Sequence, residues 1–130
     1  MRNAILMMLL AVVSGRAAAE WVWVGDTSSA AIYWDPATIR RTGNIVNMGV
    51  LYDLKTAVLS ETNGIHYASQ KLQAEYDCKE EQWRMLYFSW YSSNMGGGKM
   101  VEYLADSFKW KPAPLGSGAE ALWKLACGKK

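Results

Sequence analysis

The sequence predicts an α+β domain in which an antiparallel sheet of about six strands carries one C-terminal helix on a face. Three observations support this architecture. Successive segments alternate apolar and polar residues with the two-residue period of half-buried strands. One stripe of apolar residues at helical spacing lies near the C-terminus. The only two cysteines, Cys78 and Cys127, fall in one of the strands and at the end of that helix, so a disulfide would tie helix to sheet.

The first predicted strands are short. Residues 20–24 (EWVWV) are aromatic and β-branched apart from the first and predict one strand, and residues 30–34 predict another. In the segment that follows, the Asp35 side chain can accept backbone N–H groups and Pro36 has a φ angle preset for a turn. We interpret Asp35 and Arg40 as parts of a capped corner rather than of a binding site.

Two longer strands follow. Residues 44–54 have an apolar residue at every second position and predict a long strand. Asn63-Gly64 is the strongest hairpin signal in the chain and returns it into a strand over residues 71–78. Apolar and polar residues alternate there, which turns Cys78 toward the core. The alternating apolar residues of the two strands are Val46, Met48, Val50, Tyr52, Leu54, Leu72, Ala74 and Tyr76.

The third quarter of the chain predicts another hairpin. Residues 83–92 have apolar or aromatic side chains on both faces, which is typical of a central strand covered above and below. Residues 92–99 (SSNMGGGK) match neither a phosphate loop nor a dinucleotide motif and predict a mobile hairpin loop. Residues 99–104 are the return strand, and the prolines in residues 110–114 predict an extended linker.

The C-terminal helix has clear start and stop signals. Ser117 and Glu120 form a capping box, and Gly128 is placed to end the helix. A bridge from Cys127 to Cys78 would lay the helix across the sheet face that carries the apolar residues of strand 71–78. The apolar stripe of the helix consists of Ala119, Leu122, Trp123, Ala126 and Cys127.

The N-terminus predicts export. Arg2, an apolar run over residues 4–13 and the small residues 17–19 have the layout of a secretory signal peptide. We expect residues 1–19 to be removed and residues 20–130 to form one domain without a membrane span, because the apolar run is far shorter than the roughly 20 residues that a bilayer requires. Glu20 stands where a lipid-anchored protein would have cysteine. The expected location is the periplasm or the exterior.

An oxidising compartment favours a disulfide between the two cysteines. For a loop of this length the chain-entropy model gives a stabilisation of about 4 kcal/mol. A thiol nucleophile or a metal pair is disfavoured, since there is no CxxC spacing and neither cysteine neighbours His66, the single histidine. The bridge could form within one chain or between two.

Charge and composition exclude some function classes. Without Arg2 and Arg16, which belong to the predicted signal peptide, 12 of the 14 basic residues remain. They balance the 12 acidic residues, so the expected net charge of residues 20–130 is zero. No block of lysines or arginines forms a nucleic-acid footprint. No motif indicates a cofactor or a metal. The aromatic content is high, with seven Trp, seven Tyr and two Phe, which is enough for a workable core in a domain of this size.

An ordered set of short motifs resembles the surface-adhesin protein E family of bacterial exported proteins. The resemblance spans nearly all of the chain after residue 20, and it implies a PAS-like antiparallel sheet with a disulfide-linked C-terminal helix. It also implies binding to host extracellular-matrix and serum proteins, or to haem. The motifs are Tyr33-Trp34-Asp35, Thr38-Ile39-Arg40, residues 50–53, residues 75–78, Trp110 with its prolines, and residues 120–128.

The favoured function is a non-catalytic binding module for an extracellular-matrix or envelope protein. Exposed Trp and Tyr dominate the energetics of protein interfaces, and we expect Trp83, Tyr87 and Tyr91 to present a face to solvent and to a partner.

The alternative is a periplasmic carrier of a small, haem-like ligand. His66 would be the ligand in that case, with Met85, Met95 or Met100 as a weak second one.

Catalysis is the least favoured hypothesis. A single histidine excludes multi-histidine metal sites, and no serine lies in a GxSxG elbow. Glu75 and Asp77 could be drawn as a glycosidase pair, but their position on the polar face of a strand predicts that they point to water. We therefore expect no catalytic residues.

Overall fold

The computed structural model describes residues 20–105 and 108–129. The predicted signal peptide, residues 1–19, lies outside the described residues. No helix within the described residues is long and apolar enough to cross a membrane. The elements are β1 Val22–Asp26, β2 Ala30–Thr42, β3 Ile45–Leu59, β4 His66–Asp77, β5 Gln82–Tyr91, β6 Met100–Ala105, β7 Lys111–Pro112 and α1 Gly118–Cys127.

The strands form one antiparallel meander in the order β1-β2-β3-β4-β5-β6. The short β7 pairs with the first residues of β5, on the edge that β6 leaves open. This is the predicted α+β fold: a six-stranded meander, to which the short β7 adds a seventh strand, with one C-terminal helix. The predicted linker at residues 110–114 is extended as expected, but part of it joins the sheet.

Three strands are longer than predicted, because turn-forming residues do not end them. Asp35-Pro36 lies inside β2, at a register shift between Asp35 and Arg40. Similarly, β3 continues to Leu59 across a shift between Asp53 and Val58, and β4 begins at His66. Such bulges bend a strand without ending its pairing.

The predicted corner at Asp35 is a hydrogen-bonded bulge. The buried Asp35 carboxylate accepts from the Ala37 N–H at 3.0 Å, and the Thr38 hydroxyl donates to the Asp35 carbonyl at 2.7 Å. The same hydroxyl accepts from the Gly49 N–H at 2.7 Å, and a Cβ at Gly49 would lie 3.2 Å from it. Arg40 donates to the carbonyls of Ala37 and Ile39. These side chains therefore shape the bulge, as the corner interpretation expects.

The core lies between α1 and one face of the sheet. The alternating apolar residues of β3 and β4 supply most of it, and β5 adds partly buried aromatic and apolar side chains. Each large side chain buried in this way contributes roughly 1.5–3 kcal/mol relative to an exposed one. The buried cluster consists of Ile32, Val46, Met48, Val50, Leu72, Ala74, Tyr76, Leu122, Trp123 and Ala126.

Both ends of α1 are capped as the sequence predicts. The Ser117 hydroxyl accepts from the Glu120 N–H at 3.1 Å, and the Glu120 carboxylate accepts from the Gly116 N–H at 3.0 Å. At the other end Gly128 takes the left-handed conformation (φ 68°), and the Lys129 N–H donates to the Lys124 carbonyl at 2.8 Å. Only glycine adopts this conformation without steric cost, which explains why the helix ends there.

A disulfide and a hydrogen bond fix the C-terminal half of α1 to the sheet. Cys78 and Cys127 are bonded, with their Cα atoms 5.5 Å apart, so the bridge is intramolecular. One turn earlier, the Trp123 indole N–H donates to the Asp77 carbonyl at 2.8 Å. The predicted link between helix and sheet is confirmed.

One expectation about β5 is wrong. Its composition predicts a strand covered on both faces, but Tyr87 is 41% exposed. The reason is that the single helix covers one side of the sheet only, so an aromatic residue on the other side of β5 meets solvent.

The disulfide is expected to supply a large share of the stability. Replacing both cysteines by alanine should lower the free energy of unfolding by about 2–5 kcal/mol, since the unfolded chain regains the freedom that the bridge removes. Urea titration of both proteins measures the difference. As a control, dithiothreitol should lower the melting temperature of the parent protein and leave that of the variant unchanged. Equal stabilities would contradict this role for the bridge.

The buried hydroxyl of Tyr76 predicts sensitivity to alkali. It has no hydrogen-bond partner within the described residues, and burial, followed by the charge of Tyr52, raises its pKa well above the usual value of 10.0. Above pH 10 the unfolded tyrosine loses its proton while the folded one keeps it. The free energy of unfolding should therefore fall by about 1.4 kcal/mol per pH unit on account of this group.

Tyr76→Phe tests this expectation. The variant should be as stable as the parent at pH 7 or more so, because it removes an unpaired buried hydroxyl. Urea titrations between pH 9 and 11.5 should give a shallower pH dependence for the variant. Parallel curves for the two proteins would show that Tyr76 ionises as readily in the folded state as in the unfolded one.

Candidate binding surfaces

The sheet has one face covered by α1 and one without a helix, which we call the open face. Residues paired directly across antiparallel strands point to the same side. One such row crosses all six strands of the meander on the open face, and it places aromatic residues on both outer strands. The row runs Trp23, Tyr33, Leu51, Lys71, Ser89, Tyr103.

The loop between β5 and β6 folds back over the middle of the open face. The Asp53 carboxylate accepts from the Met95 N–H at 2.7 Å and from the Asn94 side chain at 3.0 Å. The buried Ser69 hydroxyl donates to the Ser93 carbonyl at 2.7 Å and accepts from the Gly96 N–H at 2.8 Å. The sequence predicts a mobile hairpin loop here; the structure instead shows a loop docked on β3 and β4.

Glycine is favoured at two points of this loop, because Gly96 (φ 74°) and Gly98 (φ 73°) both have the left-handed conformation. At Gly98 a Cβ atom would lie 3.0 Å from the Ser93 backbone nitrogen. Gly96 brings the loop backbone close to the Lys71 side chain on the sheet. This tertiary contact has no local sequence signature, which is why a glycine-rich segment predicts only flexibility.

The three aromatic residues predicted to bind a partner do not share one face. A bulge in β5 leaves Leu86 unpaired between Met85 and Tyr87. Trp83 consequently lies on the helix side, where it packs against the core and has the Lys111 ammonium 6.0 Å from its ring centroid. The bulge explains the difference, since it reverses the alternation along the strand.

Tyr87 and Tyr91 lie on the open face. The Tyr91 ring is half-buried, with the Lys71 ammonium 4.9 Å from its centroid and its hydroxyl 3.0 Å from that of Ser89. Tyr87 is the more exposed of the two, and its ring centroid is 6.0 Å from that of Tyr103, which is 55% exposed. We call Tyr87, Tyr91, Tyr103 and the exposed Met100, which pairs with Tyr91, the tyrosine patch.

The patch lies next to a strand edge. β6 pairs with β5 on one side and is the last strand of the meander, so its other edge has no partner strand within the described residues. Edge strands with exposed apolar side chains favour contact with another chain. Tyr103 was not singled out by the sequence, because its segment has too few residues to establish a face.

Polar contacts occupy the other end of the open face. Arg84 forms a salt bridge with Glu75 at 2.8 Å, and its guanidinium stacks 4.5 Å from the centroid of the Trp110 ring. Asp77 accepts from the backbone N–H groups of Lys79 and Glu80. Glu75 and Asp77, the two carboxylates of the glycosidase hypothesis, thus have separate structural partners. Glu75 pairs with Arg84, and Asp77 caps the turn that follows β4.

The residues of the haem hypothesis are dispersed over several elements. His66 is exposed at the start of β4 and pairs with Leu59, whereas Met85 packs against the core on the helix side. Met95 and Met100 are exposed, one in the docked loop and one at the start of β6. None of these residues lines the cavities described next.

The helix side has two neighbouring cavities that share Trp90. The first, of about 360 Å³, lies at the N-terminal end of α1 and is bounded by Gly118, Ala119 and the β1–β2 turn; we call it the helix-end cavity. The second, of about 300 Å³, lies beside the β3–β4 hairpin. In it the Tyr67 and Trp90 rings are in contact, with centroids 4.0 Å apart and their planes tilted by 42°. Burial raises the pKa of the Tyr67 hydroxyl, and the negative charges of Glu102 and Glu61 raise it further.

Comparisons with known proteins agree with the fold. The model of the family "Surface-adhesin protein E" matches residues 21–128. No curated protein matches the sequence. Among solved structures, Haemophilus influenzae protein E superposes with a TM-score of 0.62 at 11% identity, covering 86% of each chain. A second crystal form of it gives a TM-score of 0.60 at 12% identity, covering 86% of this chain and 97% of that one.

A further structure, of protein E from non-typeable Haemophilus influenzae, gives a TM-score of 0.63 at 10% identity and covers 88% of this chain and 79% of that chain. At such low identities the structures establish the shared fold, and the family model, which spans nearly the whole described chain, establishes the kinship. The chain therefore belongs to the surface-adhesin protein E family.

Proposed function

We propose that this chain is an exported, non-catalytic binding module whose partner is a protein of the extracellular matrix or of the cell envelope. The observation that carries the proposal is the Tyr87–Tyr103 pair, two exposed aromatic rings 6.0 Å apart on the open face. Tyrosine presents a large, rigid contact area at low entropic cost and is enriched among the residues that dominate interfaces. Membership of a family named for surface adhesion agrees with this assignment.

The other two residues of the initial prediction are assigned smaller roles. Tyr91 is half-buried under the Lys71 ammonium, so it contributes to the border of the patch. Trp83 packs on the core at the β7 edge and offers only part of its ring to a partner. A contact centred on Tyr87 and Tyr103 would extend along the free edge of β6.

Substitution of the two exposed tyrosines tests the proposal. In capture experiments on immobilised extracellular-matrix and serum proteins, and on envelope extracts, the parent protein should retain a partner. Tyr87→Ala/Tyr103→Ala should weaken binding to that partner at least about tenfold, because buried aromatic anchors cost more than 1 kcal/mol each when truncated. Tyr91→Ala should have a smaller effect.

Leu115→Ala is the matched control, since this residue is 91% exposed on the turn before α1 and lies outside the patch. It should bind as the parent does. Circular dichroism and the melting temperature must show that the tyrosine variant remains folded. Undiminished binding by a folded tyrosine variant would place the partner elsewhere on the surface.

Export is the second part of the proposal and has its own test. The N-terminal layout predicts cleavage after Ala19, so intact mass and N-terminal sequencing of the exported protein should give a chain that begins at Glu20. Ala17→Tyr/Ala19→Tyr should block processing, because the cleavage site requires small residues at these positions. A mature product that keeps residues 1–19 would contradict the proposal.

A further inference from the structure

We infer that the helix-end cavity binds a small aromatic carboxylate. This site lies on the opposite side of the sheet from the tyrosine patch, and the inference is independent of the protein-binding proposal. It starts from Gln70, a polar side chain that is only 7% exposed and lines the cavity. Its amide makes no hydrogen bond within residues 20–105 and 108–129. Its donor and its acceptor are therefore available to a group that enters the cavity.

The first turn of α1 provides further unused donors at the same place. Gly118 and Ala119 line the cavity as the first two residues of the helix, and their N–H groups have no intrahelical acceptor. The Ser117 hydroxyl is already committed to the Glu120 N–H. Helix N-termini favour anions, because the free N–H groups and the helix dipole act together.

The lining also determines the charge and the shape of the ligand. It includes no acidic or basic side chain, and the Tyr52 hydroxyl, whose pKa is raised by burial, remains a neutral donor. Ile32 and Trp90 provide an apolar and an aromatic wall. A donor-rich end and an apolar body together fit an anion attached to a ring.

The size of the cavity limits the ligand further. At about 30 Å³ of liquid volume for each water molecule, the volume of about 360 Å³ corresponds to roughly a dozen waters, which a ligand of similar size would displace. This is the size of one aromatic ring with a short carboxylate side chain. The carboxylate would accept from the N–H groups of Gly118 and Ala119 and from the Gln70 amide, while the ring contacts Trp90.

The test is a nuclear magnetic resonance titration of the protein, as purified from cells, with 3-phenylpropanoate. We expect saturable shifts concentrated on the amides of Gly118 and Ala119, the Gln70 side chain and the Trp90 indole. The neutral analogue 3-phenylpropan-1-ol should bind at least about tenfold more weakly, since hydrogen bonds to a charged acceptor are the stronger ones.

Two variants and one control complete the design. Gln70→Leu should weaken binding of the carboxylate about tenfold or more. Ala119→Leu, which places a larger side chain at the cavity wall, should abolish it, and this variant decides the matter if Gln70→Leu does not fold. Gln82→Leu, at the start of β5 and outside the cavity, should bind as the parent does.

Three results would overturn the inference. The first is the absence of saturable shifts, which means that only solvent occupies the cavity. The second is equal affinity for the alcohol and the carboxylate. The third is binding that survives in a folded Ala119→Leu variant or is lost equally in Gln82→Leu.

Discussion

The position of α1 depends on one covalent contact and its neighbour. The bridge between Cys78 and Cys127 and the hydrogen bond from Trp123 to the Asp77 carbonyl hold the C-terminal half of the helix at the end of β4. With that end fixed, the helix runs across β4 and β3, and its first turn reaches β2, where a Cβ at Gly118 would lie 2.5 Å from Ile32. The same contact therefore determines which face of the sheet is covered and where the N-terminus of the helix opens into a cavity.

Because a single helix covers only one face of the sheet, loops and side chains must cover the other face. Here the loop of residues 92–99 covers the centre, with Asp53 and Ser69 binding its backbone, and the Arg84–Glu75 pair with Trp110 occupies one end. Large aromatic side chains remain in solvent at the end formed by β5 and β6 and, on the opposite outer strand, at Trp23. The tyrosine patch is the uncovered area that holds more than one exposed ring, and this gives the assignment of a binding surface a physical basis beyond composition.

Local signals in the sequence predicted most of the fold. Alternation in β3 and β4, the Asn63-Gly64 hairpin and the capping box at Ser117 each depend on neighbours in the chain. The cysteine pair is a distant contact, but it was predictable because the chain has only two cysteines. The predictions fail where a contact between residues distant in the sequence determines the local structure. Asp35-Pro36 continues a strand because Thr38 bonds to Gly49 across the sheet, and the docked loop depends on Asp53, which precedes it by about forty residues.

The candidate sites were less predictable for the same reason. Composition indicated exposed aromatic residues on β5, and Tyr87 agrees with that expectation. One unpaired residue, Leu86, moved Trp83 to the other face, and strict alternation cannot reveal such a shift. Gln70 and Trp90 were not singled out, since their meaning depends on the helix end that meets them from residues 118–119.

The bridge also explains how the domain tolerates a polar group that it leaves unpaired. A buried group without a hydrogen-bond partner costs about 1–3 kcal/mol, and the Tyr76 hydroxyl has no partner among the described residues. The stabilisation of about 4 kcal/mol expected from the disulfide exceeds this cost. The covalent contact can therefore hold the helix over an imperfectly satisfied interior. Tyr76 is sealed within the core, whereas the Gln70 amide opens onto a cavity that a ligand can enter, so only Gln70 can gain a partner by binding.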